Sequence, residues 1–154
     1  FGVGEGGGVI QGHGIALFAP SFCTGFLVAR FGVRWMIVLG GLLYGLVVVF
    51  ALAGVSFWHY FIALFLLGLG WNFLFVTGTT LIARIAKPVE RGRVQGVSDL
   101  IIFACVAIAS LSAGVLHSMI GWDGLVLSCL LPMGLIMVML LATPQSRLDA
   151  EKDQ

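Results

Sequence analysis

An all-α, polytopic transmembrane helix bundle with five crossings is the fold class this sequence predicts, and three observations predict it. The first is composition: of 154 residues, 60% are hydrophobic and only 10% charged, and mean hydropathy is +1.11. A soluble domain carries about 45–50% apolar and about 25% charged residues. The second is continuity: the apolar residues form runs long enough to span a hydrocarbon core of about 30 Å, which takes about 20 helical residues. The third is that these runs do not alternate polar and apolar residues. They therefore do not read as barrel strands, and lipid leaves the helix as the other way to satisfy the backbone.

The crossings are expected at about 10–29, 34–54, 58–83, 94–117 and 123–143, preceded by an outer loop over 1–9 and followed by a tail over 144–154. Connections one, three and the tail read RFGVR, RIAKPVERGR and RLDAEKDQ. They hold Arg30, Arg34, Arg84, Lys87, Arg91, Arg93, Arg147 and Lys152, all 8 lysines and arginines of the chain. The other two connections, GVSFWHY and HSMIGWDG, hold none. Retention of cations on the cytoplasmic side then predicts an odd number of crossings, with the C-terminus cytoplasmic and the N-terminus outside. Trp58, Tyr60 and Trp122 fall at the outer ends and Trp35 at an inner end, the headgroup depth that amphipathic rings favour.

His59 and His117 share the outer level and read as interfacial polar residues in preference to ligands. The three cysteines, Cys23, Cys105 and Cys129, lie in apolar runs with no metal-ligand spacing, so buried apolar packing is expected and no metal or cofactor. Gly2, Gly4 and Gly7 match G-x-G-x-x-G, but no strand precedes them and no βαβ unit follows. HExxH, GxSxG, a Walker A lysine and nucleic-acid-binding patches are absent. The chain begins at Phe1 without a signal-peptide pattern and reads as a piece of a longer protein.

The stretch 25-GFLVARFGVR-34 resembles a loop signature, G-x-x-x-D-R-x-G-R-[RK], of major facilitator superfamily transporters. Gly25, Arg30, Gly32 and Arg34 carry the match. "APSFCTG" before the loop, a long glycine-rich third crossing and "ERGRVQGVSD" opening the next fit the second half of such a protein. The resemblance implies that the crossings are helices eight to twelve of a C-terminal half and that a missing N-terminal six-helix half is the partner. It also implies small-solute transport by alternating access at the inner (plasma) membrane, with protons as the usual coupling ion. Gly25 would let helices approach closely, Gly32 would supply a tight turn, and Arg30 and Arg34 would meet anionic lipid or carboxylates. Ala29 stands where the family has Asp and Val33 where it has Arg, which argues against a carboxylate relay at this copy of the loop. A generic positively charged loop is the plainer alternative.

Polar groups inside a bilayer are expensive and usually face a bundle interior or a cavity. Asn72 lies near the centre of the third crossing beside Trp71, and the resemblance places both on a cavity-lining helix. They read either as substrate contacts or as an interhelical hydrogen bond with adjacent packing. Thr77, Thr79 and Thr80 need only back-bond to their own helix. Gln11 and His13 open the first crossing, either at the cavity mouth or simply solvated at the interface. Asp99, with Gln95 one turn earlier, is a proton carrier or, preferably, an inner-gate contact to the missing half, together with Arg91 and Arg93. Gly41 and Gly45 form a small-xxx-small pair suited to helix packing. Pro20 predicts a bend. Two other function classes remain: a multi-pass membrane enzyme using His13, Asp99 and His117, whose depths do not converge, and a membrane scaffold subunit.

Overall fold

The computed structural model describes residues 3–143. They form six helices: α1 (Val3–Phe18), α2 (Ser21–Phe31), α3 (Val33–Ala53), α4 (Phe57–Ile85), α5 (Arg91–Ser128) and α6 (Leu130–Ala142). The expected tail lies outside the described residues, as do the first two residues of the expected outer loop. The remainder of that loop is helical: α1 starts at Val3, so the first pass begins earlier than the sequence suggests. Glycines at 4, 6, 7 and 8 lower helix propensity, which is why this segment reads as a loop. In lipid the backbone has no other hydrogen-bonding option, and that requirement outweighs propensity.

Where each pass ends follows from local backbone chemistry. Pro20 lacks an N–H, and the chain bends by 43° between Gly6–Phe18 and Ser21–Phe31. Gly32 separates α2 from α3 with φ 85 and ψ 160, a region only glycine occupies readily. Pro88 pushes the preceding residue toward extended backbone, and α4 ends at Ile85.

Three stretches are long and apolar enough to cross a bilayer, Val33–Ala53, Phe57–Ile85 and Arg91–Ala142, and the bent α1–α2 pair makes a fourth. The last stretch has 52 residues, roughly 78 Å of helix, far beyond one hydrocarbon core. Gly121, at φ 71 and ψ −176, breaks it. The chain then returns along α3. The Trp122 indole donates to Ala51 O at 3.0 Å, Met133 and Met137 meet Gly41, and Arg34 Nη1 donates to Thr143 O at 3.3 Å. Residue numbers rise on one strand of contacts as they fall on the other, so 122–143 is antiparallel to α3. The bundle therefore has five passes, with the fourth and fifth merged into one apolar stretch that a single glycine folds back.

Close approach is concentrated on α4, where glycines remove the side chains that would hold helices apart. A Cβ on Gly68 would fall 2.7 Å from His13 O, and one on Gly12 would fall 2.6 Å from the Phe61 ring. These contacts seat α1 parallel to α4. On the other side, Gly40 meets Leu74 and Gly70 meets Tyr44 at 2.7 and 2.9 Å, by the same measure. Gly41 packs against Met137, but Gly45 has nothing within 4 Å, so the expected Gly41/Gly45 pair is replaced by Gly40 and Gly41. Gly25, expected to permit close approach, also faces open space.

Two apolar clusters anchor the bundle. Val28, Val33, Met36 and Phe73 join α2, α3 and α4, while Ala51, Ala63 and Val126 join the C-terminal part of α3 and the N-terminal part of α4 to the returning segment. Large apolar side chains dominate the periphery: Phe22 is 92% exposed and Leu111 83%. A water-facing surface of this kind would aggregate, whereas a lipid-facing one is stable.

Candidate functional site: the α4 polar clasp and the aromatic cavity

α4 presents two faces with different chemistry. The first meets α1–α2. Asn72 is 3% exposed. Its Nδ2 donates to Leu17 O at 2.6 Å and to Ser21 Oγ at 2.5 Å, and its Oδ1 accepts from Thr24 Oγ1 at 2.6 Å. Both amide hydrogens are thus committed, to groups on either side of the Pro20 break. This arrangement matches the interhelical-bond alternative for Asn72, while Trp71 turns elsewhere. About two turns before Asn72 on α4, Leu64 O accepts from His13 Nδ1 at 2.7 Å. A carbonyl only accepts, so Nδ1 carries the hydrogen. Gln11 is exposed. Ser21 and Thr24 were not singled out in the sequence. A hydroxyl on each side of one helical turn just after a proline is the signal that could have found them.

The second face meets α3, α5 and α6 around a cavity of about 390 Å³ lined by Tyr44, Trp71, Phe75, Ile102, Met133 and Ile136, among others. Trp71 and Phe75 stack with centroids 6.0 Å apart and planes 11° from parallel. Phe75 in turn meets Phe103 at 6.2 Å. The i, i+4 pair Trp71 and Phe75 gives the cavity a flat, apolar aromatic wall that suits a planar ligand, while Phe103, tilted by 55° to Phe75, braces it from α5 outside the lining. Helical spacing makes Trp71 and Phe75 neighbours, so the pair was readable in the sequence; the Phe103 contact was not. A second, smaller cavity of about 150 Å³ lies beside Tyr60 and Trp122, whose rings meet edge-on at 5.7 Å.

Asp99 sits one turn before Ile102 on α5. Its Oδ1 is buried and has no hydrogen-bond partner within the described residues, as is also true of Thr77 Oγ1. Gln95, one turn earlier, is half-buried. Thr79 and Thr80 both back-bond to Val76 O, at 3.1 and 2.6 Å.

Arg34 and Arg91 have local backbone partners. Arg34 caps the last turn of α6 through Thr143 O, a favourable position for a cation. Arg91 Nε donates to Ala86 O at 3.4 Å, just beyond the end of α4. Arg30 lies 5.8 Å from the Phe31 ring centroid, and Arg93 is exposed. Gly32 makes the α2–α3 turn itself. His13, Asp99 and His117 are not brought together, and no group of three or more His, Cys, Asp or Glu that could hold a metal exists among the described residues.

Comparison with known proteins adds the family. A model of the Major Facilitator Superfamily matches residues 7–154. The chain is 44% identical over 114 residues to the riboflavin transporter RfnT of Brucella anthropi, covering 74% of this chain and 29% of that protein. It is 40% identical over 121 residues to the uncharacterized MFS-type transporter YdeG of Bacillus subtilis, covering 77% and 27%. It is 38% identical over 122 residues to YddS of the same organism, also an uncharacterized MFS-type transporter, with the same shares. The chain thus spans less than a third of the length of these relatives. No solved structure matches it significantly. The match over nearly every described residue, together with a lipid-facing helical bundle, leads to one conclusion: the chain belongs to the Major Facilitator Superfamily.

Proposed function

We propose that this chain forms helices eight to twelve in the C-terminal half of a secondary active transporter of the inner (plasma) membrane, with its C-terminus in the cytoplasm. The missing N-terminal six-helix half supplies the opposite wall, and alternating access driven by a proton gradient moves a small solute. Asp99, with an Oδ1 that finds no donor among these helices, serves as an inner-gate contact to the other half, near Gln95, Arg91 and Arg93. The solute is a planar heteroaromatic compound, with riboflavin first to test given the identity to a riboflavin transporter. The observation that carries this reading is the Trp71–Phe75 stack facing a cavity of about 390 Å³. Flat apolar rings there accept a flat heterocycle by offset stacking.

The test is uptake of labelled riboflavin by the full-length protein in a bacterial strain unable to make it. Trp71→Ala is expected to lower uptake by about tenfold, the effect of losing about 1.4 kcal/mol of binding, at unchanged membrane abundance, while Trp71→Phe retains most of it. A protonophore is expected to abolish accumulation. Absence of flavin uptake overturns the solute, and uptake indifferent to the protonophore overturns the coupling.

A further inference from the structure

The α1–α2 pass is interrupted where a polar side chain from another helix meets it. The backbone ladder of α1 closes with Ala19 N to Ile15 O at 2.9 Å and resumes with Cys23 N and Thr24 N to Pro20 O, both at 2.8 Å. Asn72 fills the gap, holding Leu17 O before the break and Ser21 Oγ and Thr24 Oγ1 after it. The bend of 43° therefore cannot change without breaking at least one of three bonds.

Each group on α1–α2 nevertheless has a second partner at hand. The single hydroxyl proton of Thr24 is shared between Asn72 Oδ1 and Pro20 O, the latter at 2.8 Å. Ser21 lies four residues after Leu17, the spacing at which a serine hydroxyl back-bonds to a helical carbonyl. If the clasp opens, Thr24 keeps Pro20 O and Ser21 takes Leu17 O. Only the Asn72 amide is left without a partner. Two arrangements of the same groups, both nearly satisfied, are what a bistable element needs inside an apolar bundle. The outer arm is fixed more firmly than the break itself, since α1 lies against α4 at Gly68 and Gly12 with no room for added atoms.

We infer that Asn72 is a positioning residue of the transport cycle: its clasp on Leu17, Ser21 and Thr24 holds the bent form of the α1–α2 pass, and release of the clasp lets the pass straighten. The inference deepens the carrier reading and rests on it for one arm of the test only. Asn72 acts through helix geometry and not by touching solute.

Cys23 lies between Ser21 and Thr24 and is exposed on the bundle surface, so its alkylation rate with a lipid-permeable maleimide reports the break, whatever the solute. The experiment uses the full-length protein with its other cysteines replaced by serine. Asn72→Leu is expected to change the Cys23 rate by about threefold or more, the scale of coupling within one hydrogen-bond network. Pro20→Ala, which lets the ladder close across the break, is expected to shift it in the same direction. The double variant is expected to add nothing further. Thr24→Val and Ser21→Ala, which each remove one bond, are expected to shift it in that direction by less, and they decide the matter if Asn72→Leu fails to insert. An unchanged Cys23 rate in variants that still unfold cooperatively, or additive effects of Asn72→Leu and Pro20→Ala, overturns the inference. In the flux arm, Asn72→Leu lowers kcat with KM little altered; a raised KM at constant kcat would mark Asn72 as a solute contact instead. Failure to carry riboflavin leaves the alkylation arm intact, so the two readings fail separately.

Discussion

The carbonyl oxygen of His13 lies 2.7 Å from where a Cβ on Gly68 would stand, so the α1–α4 interface is set by backbone meeting backbone. Neither atom can rotate away, and any larger residue at 68 must part the helices. Gly68→Ala is therefore expected to destabilise by about 1–3 kcal/mol, the usual range for overpacking, and Gly68→Val by more. Gly45→Ala, where nothing lies within 4 Å, is expected to stay within about 0.5 kcal/mol. Thermal unfolding of the purified full-length protein in detergent checks both; equal stability of the two alanine variants would contradict the packing.

Two turns depend on the same backbone region. Gly32 (φ 85, ψ 160) and Gly121 (φ 71, ψ −176) occupy the part of φ/ψ space that is almost exclusive to glycine. At Gly121 a Cβ would meet no neighbour, so the penalty there is purely conformational. Gly121→Ala is expected to destabilise by about 1–3 kcal/mol. Gly121→Asn is expected to do no better, because asparagine tolerates the left-handed helical region and not this one. A rescue by Asn, read in the same unfolding assay, would show that the turn has a different geometry.

Trp122 does two things where the chain folds back: it donates to Ala51 O and it packs edge-on against Tyr60. Trp122→Phe keeps an aromatic ring and loses the donor, for an expected loss of about 1 kcal/mol. Trp122→Ala loses both and is expected to fall by at least twice as much. Double-mutant cycles with Tyr60→Leu separate the ring contact from the hydrogen bond.

Asp99 allows a clean separation of stability from activity. With Oδ1 buried and no donor among the described residues, replacement by a neutral side chain relieves desolvation without orphaning a partner among these helices. Asp99→Asn and Asp99→Leu are expected to insert and unfold at temperatures equal to or above the parent, yet to lose flux. Retained flux in both would remove Asp99 from the gate and from coupling.

Much of the architecture was legible along the chain because lipid imposes a one-dimensional rule: a helix must be long and apolar enough to cross, whatever it packs against. Pro20 marked the bend and Gly32 the turn for equally local reasons, a missing N–H and a missing Cβ. The start of α1 is not legible because its glycines at 4, 6, 7 and 8 are poor helix formers in water, whereas in lipid the backbone has no competing partner. Gly68 and Gly40, and not Gly25 and Gly45, carry the close contacts, since a small residue permits close approach without saying which helix arrives.

The amino-acid order alone determined that this is a five-pass helical membrane protein with its cations gathered in alternate connections, because crossing length and charge placement are properties of contiguous segments. Only the tertiary structure decided that Asn72 spends its amide on Leu17, Ser21 and Thr24, that Trp71 and Phe75 line a cavity and that Phe103 meets Phe75. Those pairings join residues as many as 55 positions apart. They depend on the rotation of one helix about its axis relative to the next, which close contacts such as Gly68 against His13 set and which no run of hydropathy encodes.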